Sequence, residues 1–303
     1  MVDLVSIVLT LKALPAPERA PLDGLHWWGR AAQALLLDVV REQDEALAAG
    51  LHANAPHPDP TLTGTRLPLG EGGNVFRPYT VSSLMGRFAR GQVLPDGEYV
   101  LRLAAFRADV AEALLTATKD SGRLARGTTL ELDYLPFRVE MIQPGDSPDS
   151  PSPWACVTGF QELSAPFLLS TANAPRRIAL QLTSPTVFKS GGKHVPFPAP
   201  ELVFGSLLER WNAFAPVSFP AEVKRYAEEC LAVSRYDLKT VPVPQKGGGL
   251  RVGAIGSVMF TSLSYDRYWM SVLATLAQFS LFCGLGAGTA QGLGQCRVMD
   301  VGS

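Results

Sequence analysis

In the first half of the chain, segments of alternating apolar and polar residues are separated by segments with a helical pattern. Residues 3–12, DLVSIVLTLK, alternate and are rich in Val, Ile and Leu, which is typical of a strand. Prolines and glycines are concentrated in residues 53–76 and indicate a loop or small hairpin. The other elements predicted in this half are helices at 25–51 and 108–119 and strands at 98–107, 130–143 and 154–161.

The second half repeats this order of elements with a different sequence. Its predicted strands are residues 177–188, 235–243, 250–263 and 296–301, and its predicted helices are 199–213, 222–231 and 267–282. Residues 195–197 are predicted as a short strand or a loop. Each half therefore approximates β-α-β-β-α-β, which is the ferredoxin-like unit and the skeleton of the RNA-recognition module. We predict an α+β protein with two tandem ferredoxin-like (RRM-like) domains, residues 1–165 and 166–303, and a glycine-rich loop near its C-terminus.

Composition agrees with two folded domains. The chain has 303 residues, of which 47% are hydrophobic, so it can form two real cores. Its four cysteines form no CxxC pair, which argues against a zinc knuckle and fits reduced thiols. The N-terminus lacks the pattern of a signal peptide, and the longest apolar stretch, Trp269–Cys283, is shorter than the ~20 residues of a membrane span. A cytoplasmic protein is expected.

Charge is distributed unevenly, although the net charge is only −1. Residues 1–165 contain 14 Lys and Arg against 20 Asp and Glu, a balance of −6. Residues 166–303 contain 13 against 8, a balance of +5. A basic half can attract phosphate groups even in a nearly neutral protein, although the charge alone also fits ordinary surface variation.

The most informative segment is Gly284–Gln295, GLGAGTAQGLGQ. It does not match a dinucleotide fingerprint, because Thr289 stands where the third glycine belongs and a strand follows, and it lacks the lysine of a P-loop. Dense glycines expose backbone N–H groups and allow another backbone to come close, which suits the phosphates of a polyanion. A plain connection between a helix and a strand is the alternative.

Four ordered motifs extend across both halves of the chain. The C-terminal motif has two G-h-G pairs around a threonine and leads into the last strand; its residues are Gly284, Gly286, Thr289, Gly292 and Gly294. The other three are RPYTVSSL at 77–84, PTVF at 185–188 and PELVFGSLL at 200–208. Together these motifs resemble the CRISPR-associated RAMP superfamily, and in particular its repeat-processing endoribonucleases.

The resemblance implies an enzyme: a sequence-specific, metal-independent endoribonuclease that binds CRISPR repeat RNA and cleaves precursor crRNA into guide units. It implies no cofactor, and its partners would be the repeat RNA and other CRISPR effector subunits. Family loops often have Lys or Arg between the two glycine pairs, whereas this chain has Ala287-Gly288-Thr289. Phosphate contact would then come from backbone N–H groups of the loop glycines or from basic residues elsewhere.

RNA cleavage without a metal requires a base for the 2′-OH, donors or cations around the phosphorane, and an acid for the departing 5′-oxygen. It leaves a 2′,3′-cyclic phosphate and a 5′-hydroxyl. Histidine suits proton transfer because its ordinary pKa of ~6.5 is close to working pH. In the resembling family the catalytic histidine follows the first helix and precedes P-[FY]-T, and His52 is the match in this chain.

The other three histidines have competing interpretations. His26 adjoins two tryptophans at a helix start, which favours a packing or capping role, with catalysis as the alternative. His57 lies in a proline-rich loop and is a weaker candidate. His194 follows Lys189 and Lys193 and fits a phosphate contact better than a catalyst.

Arg77 stands where the family often has a cationic residue before P-[FY]-T, so the resemblance implies that it stabilises the phosphorane. A surface arginine is the alternative, and the 24 residues between His52 and Arg77 exceed the usual family connection. The expected RNA-binding residues lie in the basic half: Lys189, Lys193, His194, Arg176, Arg177, Lys224, Arg225 and Lys246, with the glycines Gly284, Gly286, Gly292 and Gly294.

Two other classes of protein compete with this interpretation. The superfamily also contains subunits that hold guide RNA without cutting it, and a chain with a misplaced His52 would behave in this way. A two-histidine phosphoesterase would need paired H-x-[ST] motifs, which the sequence lacks. A metal nuclease is poorly supported, because the sequence has no tight cluster of Asp, Glu and His.

Overall fold

A computed structural model describes residues 2–15, 26–52, 68, 75–144, 152–245 and 249–300. The chain divides into two compact units. Unit 1 consists of Met1–Val157 with Ala290–Gly292, and unit 2 consists of Thr158–Thr289 with Leu293–Ser303. Residue 165, where the sequence suggested a division, lies in the first helix of unit 2.

Unit 1 contains an antiparallel sheet with helices against one face. Its described elements are β1 (Leu4–Ala13), α1 (Gly29–Gln43), α2 (Glu45–His52), β2 (Tyr79–Val81), β3 (Met85–Gly86), β4 (Phe88–Ala89), β5 (Gln92–Val93), β6 (Glu98–Ala105), α3 (Ala108–Ala117), β7 (Thr129–Leu132), β8 (Leu135–Gln143) and β9 (Cys156–Thr158). The main strands follow the order β2-β6-β1-β8-β7.

The core of unit 1 lies between this sheet and its helices. Leu9 and Leu11 of β1 and Leu101 and Leu103 of β6 are fully buried in one hydrophobic cluster with α1 and α3. Successive strand residues point to opposite faces, so these i and i+2 positions face the helices together. The alternation predicted from the sequence is therefore the pattern that places α1, and α2 after it, on this sheet.

Three predictions for unit 1 are corrected. The strand predicted at 130–143 is the hairpin of β7 and β8, because Asp133 (φ 47°) and Tyr134 (φ 64°) form a turn between them. The helix predicted at 25–51 is two helices, because the backbone becomes extended at Asp44 (φ −152°, ψ 104°). The Asp44 carboxylate accepts a hydrogen bond from the Leu47 N–H (2.8 Å) and so caps the start of α2. Of the strand predicted at 154–161, only Cys156–Thr158 is extended, because a helix begins at Phe160.

Unit 2 has a four-stranded antiparallel sheet in the order β13-β14-β10-β15. Phe260 of this sheet packs against Phe204 of its helix layer, with ring centroids 5.5 Å apart. The described elements are α4 (Phe160–Leu168), β10 (Arg177–Thr186), β11 (Phe188–Ser190), β12 (Lys193–Val195), α5 (Pro200–Phe214), α6 (Glu222–Cys230), β13 (Leu231–Pro244), β14 (Leu250–Ser262), α7 (Arg267–Cys283) and β15 (Cys296–Met299). None of the helices that the structure describes combines the length and apolar character needed to cross a membrane.

A small hairpin in unit 2 differs from the sequence prediction of a short strand or a loop at 195–197. β11 and β12 pair so that Lys189 lies opposite His194. Gly191 (φ +55°) and Gly192 (φ +73°) form the turn, and two positive φ angles are what a tight two-residue hairpin turn requires. The turn thus makes Lys189 and His194 cross-strand neighbours.

Candidate active site and nucleic-acid interface

The structure places His52 at the last position of α2, with its side chain exposed. The preceding residue, Leu51, is fully buried and anchors this end of the helix in the core of unit 1. The imidazole is therefore presented to solvent from a fixed backbone position. This is a suitable arrangement for transferring a proton to or from a bound substrate.

Arg77 contacts this same end of α2. Its Nε–H donates to the Leu51 carbonyl oxygen at 3.2 Å, and its guanidinium also hydrogen-bonds the hydroxyl of Tyr79. Gln33 of α1 donates to the same hydroxyl through Nε2 at 2.9 Å. Burial raises the pKa of Tyr79, while Gln33 and Arg77 act in the opposite direction. Tyr79 is fully buried, so it belongs to the packing around the site.

His26 lies in a different environment within unit 1. Its ring makes an edge contact with Trp28 (centroids 4.5 Å apart), and its Nε2 is 3.4 Å from the Asp133 carboxylate. These contacts fit the packing role that the sequence favoured over catalysis. His57 lies outside the described residues. Among the residues that are described, no three His, Cys, Asp or Glu side chains form a group that could hold a metal ion.

The β11–β12 hairpin carries a cluster of positive charge in unit 2. Burial lowers the pKa of His194, and the nearby charges of Arg251 and Lys189 lower it further. The Arg251 Nε is buried and has no hydrogen-bond acceptor among the described residues. Sequence reasoning missed Arg251, the second residue of β14, because only the folded chain brings it near the hairpin. Together these side chains form a site suited to phosphate.

The remaining predicted RNA-binding side chains are more dispersed. Arg176 stacks on Tyr265, with its guanidinium carbon 4.6 Å from the ring centroid, and Arg177 is exposed at the start of β10. On α6, Lys224 is half-buried against α5, and the Nε of the exposed Arg225 is 4.0 Å from a carboxylate oxygen of the next helical turn. Lys193 is exposed at the start of β12. Lys246 lies outside the described residues.

The glycine-rich loop is folded tightly against its own unit. The N–H groups of Gly284, Gly286 and Gly294 donate to the Ser280 carbonyl (2.9 Å), the Ser206 hydroxyl (3.0 Å) and the Pro185 carbonyl (3.1 Å). These three N–H groups already have acceptors in the protein. Contact of these three groups with phosphate stays a prediction, and each N–H would have to exchange its present acceptor for a phosphate oxygen.

A buried arginine holds this loop in place. Arg210 of α5 donates to the Gly286 carbonyl and to the Ser206 hydroxyl. Burial lowers the pKa of Arg210, but the group has acceptors for its charge-assisted hydrogen bonds. Sequence reasoning missed this role; the available signal was a charged residue on the apolar side of a predicted helix. The tip of the loop belongs to unit 1, where Trp27 Nε1 donates to the Gln291 carbonyl at 2.6 Å.

Comparisons with known proteins bear on both units. Residues 180–296 match the family model of the CRISPR-associated endoribonuclease Cas6. A curated protein of that name from Mycobacterium tuberculosis is 32% identical over 127 residues. The resemblance to the CRISPR repeat-processing endoribonucleases is thus confirmed. The aligned region covers 42% of this chain and 40% of the length of the mycobacterial Cas6.

Solved Cas6 structures resemble the chain over nearly its full length. A Cas6 product complex superposes with a TM-score of 0.69 at 22% identity, covering 99% of this chain and all of the other. Thermus thermophilus Cas6 gives a TM-score of 0.66 at 21% identity, covering 99% of both chains. The α+β fold of this chain is therefore the Cas6 fold. The Cas6 family match includes the β11–β12 hairpin and the glycine loop, whereas His52 and Arg77 precede it.

Proposed function

We propose that this chain is an endoribonuclease that binds CRISPR repeat RNA and cleaves precursor crRNA into guide units. The observation that carries the proposal is the Cas6 fold of the whole chain, with an exposed histidine at the end of α2. We also propose that each unit contains a ferredoxin-like domain. The strand orders β2-β6-β1-β8 and β13-β14-β10-β15 support this, because both correspond to the order 2-3-1-4 of such a domain.

The proposed reaction is a transesterification that needs no metal. The 2′-oxygen next to the scissile phosphate loses its proton and attacks phosphorus, and the bond to the 5′-oxygen breaks. The products are a 2′,3′-cyclic phosphate and a 5′-hydroxyl, so atoms balance without a water molecule. His52 transfers a proton in this reaction, as the base for the 2′-OH or the acid for the 5′-oxygen.

Repeat RNA is proposed to bind mainly through phosphate contacts in unit 2. Lys189, His194 and Arg251 form the central contact, because two cations beside a histidine favour a polyanion. The other proposed contacts are Lys193, Arg176, Arg177, Lys224 and Arg225. After cleavage, other subunits of a CRISPR effector complex would take up the guide RNA in the cytoplasm.

A specific observation favours one alternative, a guide-RNA-binding subunit that does not cut. The Cas6 family match covers residues 180–296, which contain the proposed phosphate contacts of the hairpin but not His52. Sequence similarity therefore supports the residues proposed to bind RNA more directly than it supports His52. The two functions predict the same affinity for repeat RNA and differ only in cleavage.

Incubation of the full chain with labelled repeat RNA from its source organism, in excess EDTA, tests the proposal. We expect cleavage at one position, a 2′,3′-cyclic phosphate and a 5′-hydroxyl at the new ends, and no cleavage when the 2′-OH at that position is replaced by hydrogen. Cleavage that stops in EDTA and returns with added Mg²⁺, or cutting of the deoxy substrate, would overturn the mechanism. Tight binding without cleavage would support the alternative.

A further inference from the structure

The C-terminal end of α2 depends on a side chain from a distant part of the sequence. The last carbonyl groups of a helix have no partner within the helix and need donors from elsewhere. At the end of α2 the donor for Leu51 is Arg77, which is 26 positions later in the chain. This hydrogen bond requires an N–H group at the position of Nε, 3.2 Å from the carbonyl oxygen. The guanidinium also places a positive charge at this end of the helix.

Arg77 is itself fixed by buried groups. Its guanidinium hydrogen-bonds the hydroxyl of Tyr79, which is fully buried at the start of β2. Gln33 of α1 donates to the same hydroxyl. One small network thus connects α1, β2 and the end of α2.

His52 is the residue that immediately follows the anchored carbonyl. The Leu51 side chain is fully buried, and the Leu51 carbonyl is hydrogen-bonded to Arg77, so both parts of this residue are held. The Cα atom of His52 is then fixed within one peptide unit, about 3.8 Å along the chain. The imidazole, which is exposed among the described residues, remains available to a substrate.

We infer that Arg77 is a positioning residue, which acts on cleavage through the backbone of His52 and does not contact the scissile phosphate. The inference rests on the proposed function, in which His52 transfers the proton. It replaces the phosphorane-stabilising role that the sequence resemblance implies for Arg77. The physical basis is that a displacement of about 1 Å at a catalytic group can slow a reaction by about 10²-fold.

Two substitutions at Arg77 separate positioning from charge. Arg77→Gln keeps an N–H donor at the position of Nε but removes the positive charge. Arg77→Lys keeps the charge but places a CH₂ group where Nε was. If Arg77 positions His52, single-turnover cleavage by Arg77→Lys is slower than wild type by about 10- to 100-fold, and Arg77→Gln retains clearly more activity than Arg77→Lys. The affinity for repeat RNA and the melting temperature are measured for both variants, and we expect affinity to be unchanged.

The same substitutions in a His52→Ala background provide a second readout. If Arg77 acts through the imidazole, Arg77→Lys causes no further loss once that imidazole is absent. Full activity of Arg77→Lys with a slow Arg77→Gln, or equal losses in both backgrounds, would show direct action on the phosphate and overturn the inference alone. Wild-type cleavage by His52→Ala would overturn the proposed role of His52 and the inference with it.

Discussion

The pKa of His194 is expected to rise when RNA binds, so the pH dependence of binding shows whether His194 lies in the interface. Its pKa is lowered by burial and by the charges of Arg251 and Lys189, so the neutral imidazole is favoured in the free protein. A phosphate bound between these groups would offset the two positive charges. The protonated imidazole would then become more favourable in the complex than in the free protein, and binding would take up a proton.

We therefore predict that repeat RNA binds more tightly as pH falls from about 8 to about 6, and that His194→Gln removes part of this dependence. The sign follows because the protonated form is the one that phosphate stabilises. Fluorescence anisotropy with the uncleavable 2′-deoxy repeat at several pH values measures it. An identical pH dependence in His194→Gln and wild type would remove His194 from the interface.

His52 and Arg77 differ in what the sequence alone can predict about them. The place of His52 after a helix and before P-[FY]-T is a local pattern, and the structure does put it at an exposed helix end. The partner of Arg77 is the Leu51 carbonyl, a contact that joins segments separated by a connection of unusual length. Arg251 was missed for the same reason, since only the fold brings it near His194.

Among the elements, the glycine loop shows the largest difference between the role suggested by the sequence and the contacts seen in the structure. A side-chain carbon added at Gly294 (φ +65°) would lie 2.0 Å from the Leu285 carbonyl oxygen. Glycine is thus required there for contact of the loop with itself, and the polyanion that the spacing suggested is not needed to explain it. The sequence could place the loop between α7 and β15 but could not show what fills the space around it.

We predict that Gly294→Ala destabilises the protein far more than Gly191→Ala. Both glycines have positive φ angles, but an added carbon at Gly191 (φ +55°) would have no atom within 4 Å. Gly191→Ala then costs only the left-handed conformation, about 1–2 kcal/mol or a few degrees of melting temperature. Gly294→Ala adds a steric overlap and should lower the melting temperature by more than about 10 °C. Equal losses for the two variants, measured by thermal unfolding, would show that loop packing does not explain Gly294.

Other elements show which features of the local sequence allow an element to be predicted. Strand β1 was predicted from its alternation, and the structure has it at Leu4–Ala13. The break at Asp44 was missed, because aspartate in a run of helix-forming residues gives a weak signal until its carboxylate caps the next helix. The β11–β12 hairpin was missed, and only a short strand or a loop was predicted at 195–197, because three-residue strands are too short to show a clear alternation.

For the whole molecule, the proposal assigns cutting and holding of RNA to different units. His52 lies in unit 1, within the half of the chain whose charge balance is −6, and the basic hairpin lies in unit 2, within the half at +5. Affinity for a polyanion comes mainly from many phosphate contacts, so one exposed imidazole contributes little to it. Removal of the His52 imidazole should therefore slow cleavage and leave the affinity for RNA nearly unchanged.

The most direct test of this account compares His52→Ala with His26→Ala in single-turnover cleavage of repeat RNA. We predict that His52→Ala is slower by about 10²–10⁴-fold with nearly unchanged affinity, which is the usual contribution of a positioned acid or base. His26→Ala should cut at close to the wild-type rate and melt at a lower temperature, because it loses the contact with Trp28. Normal cutting by His52→Ala, together with loss of cutting in a folded His26→Ala protein, would contradict the account.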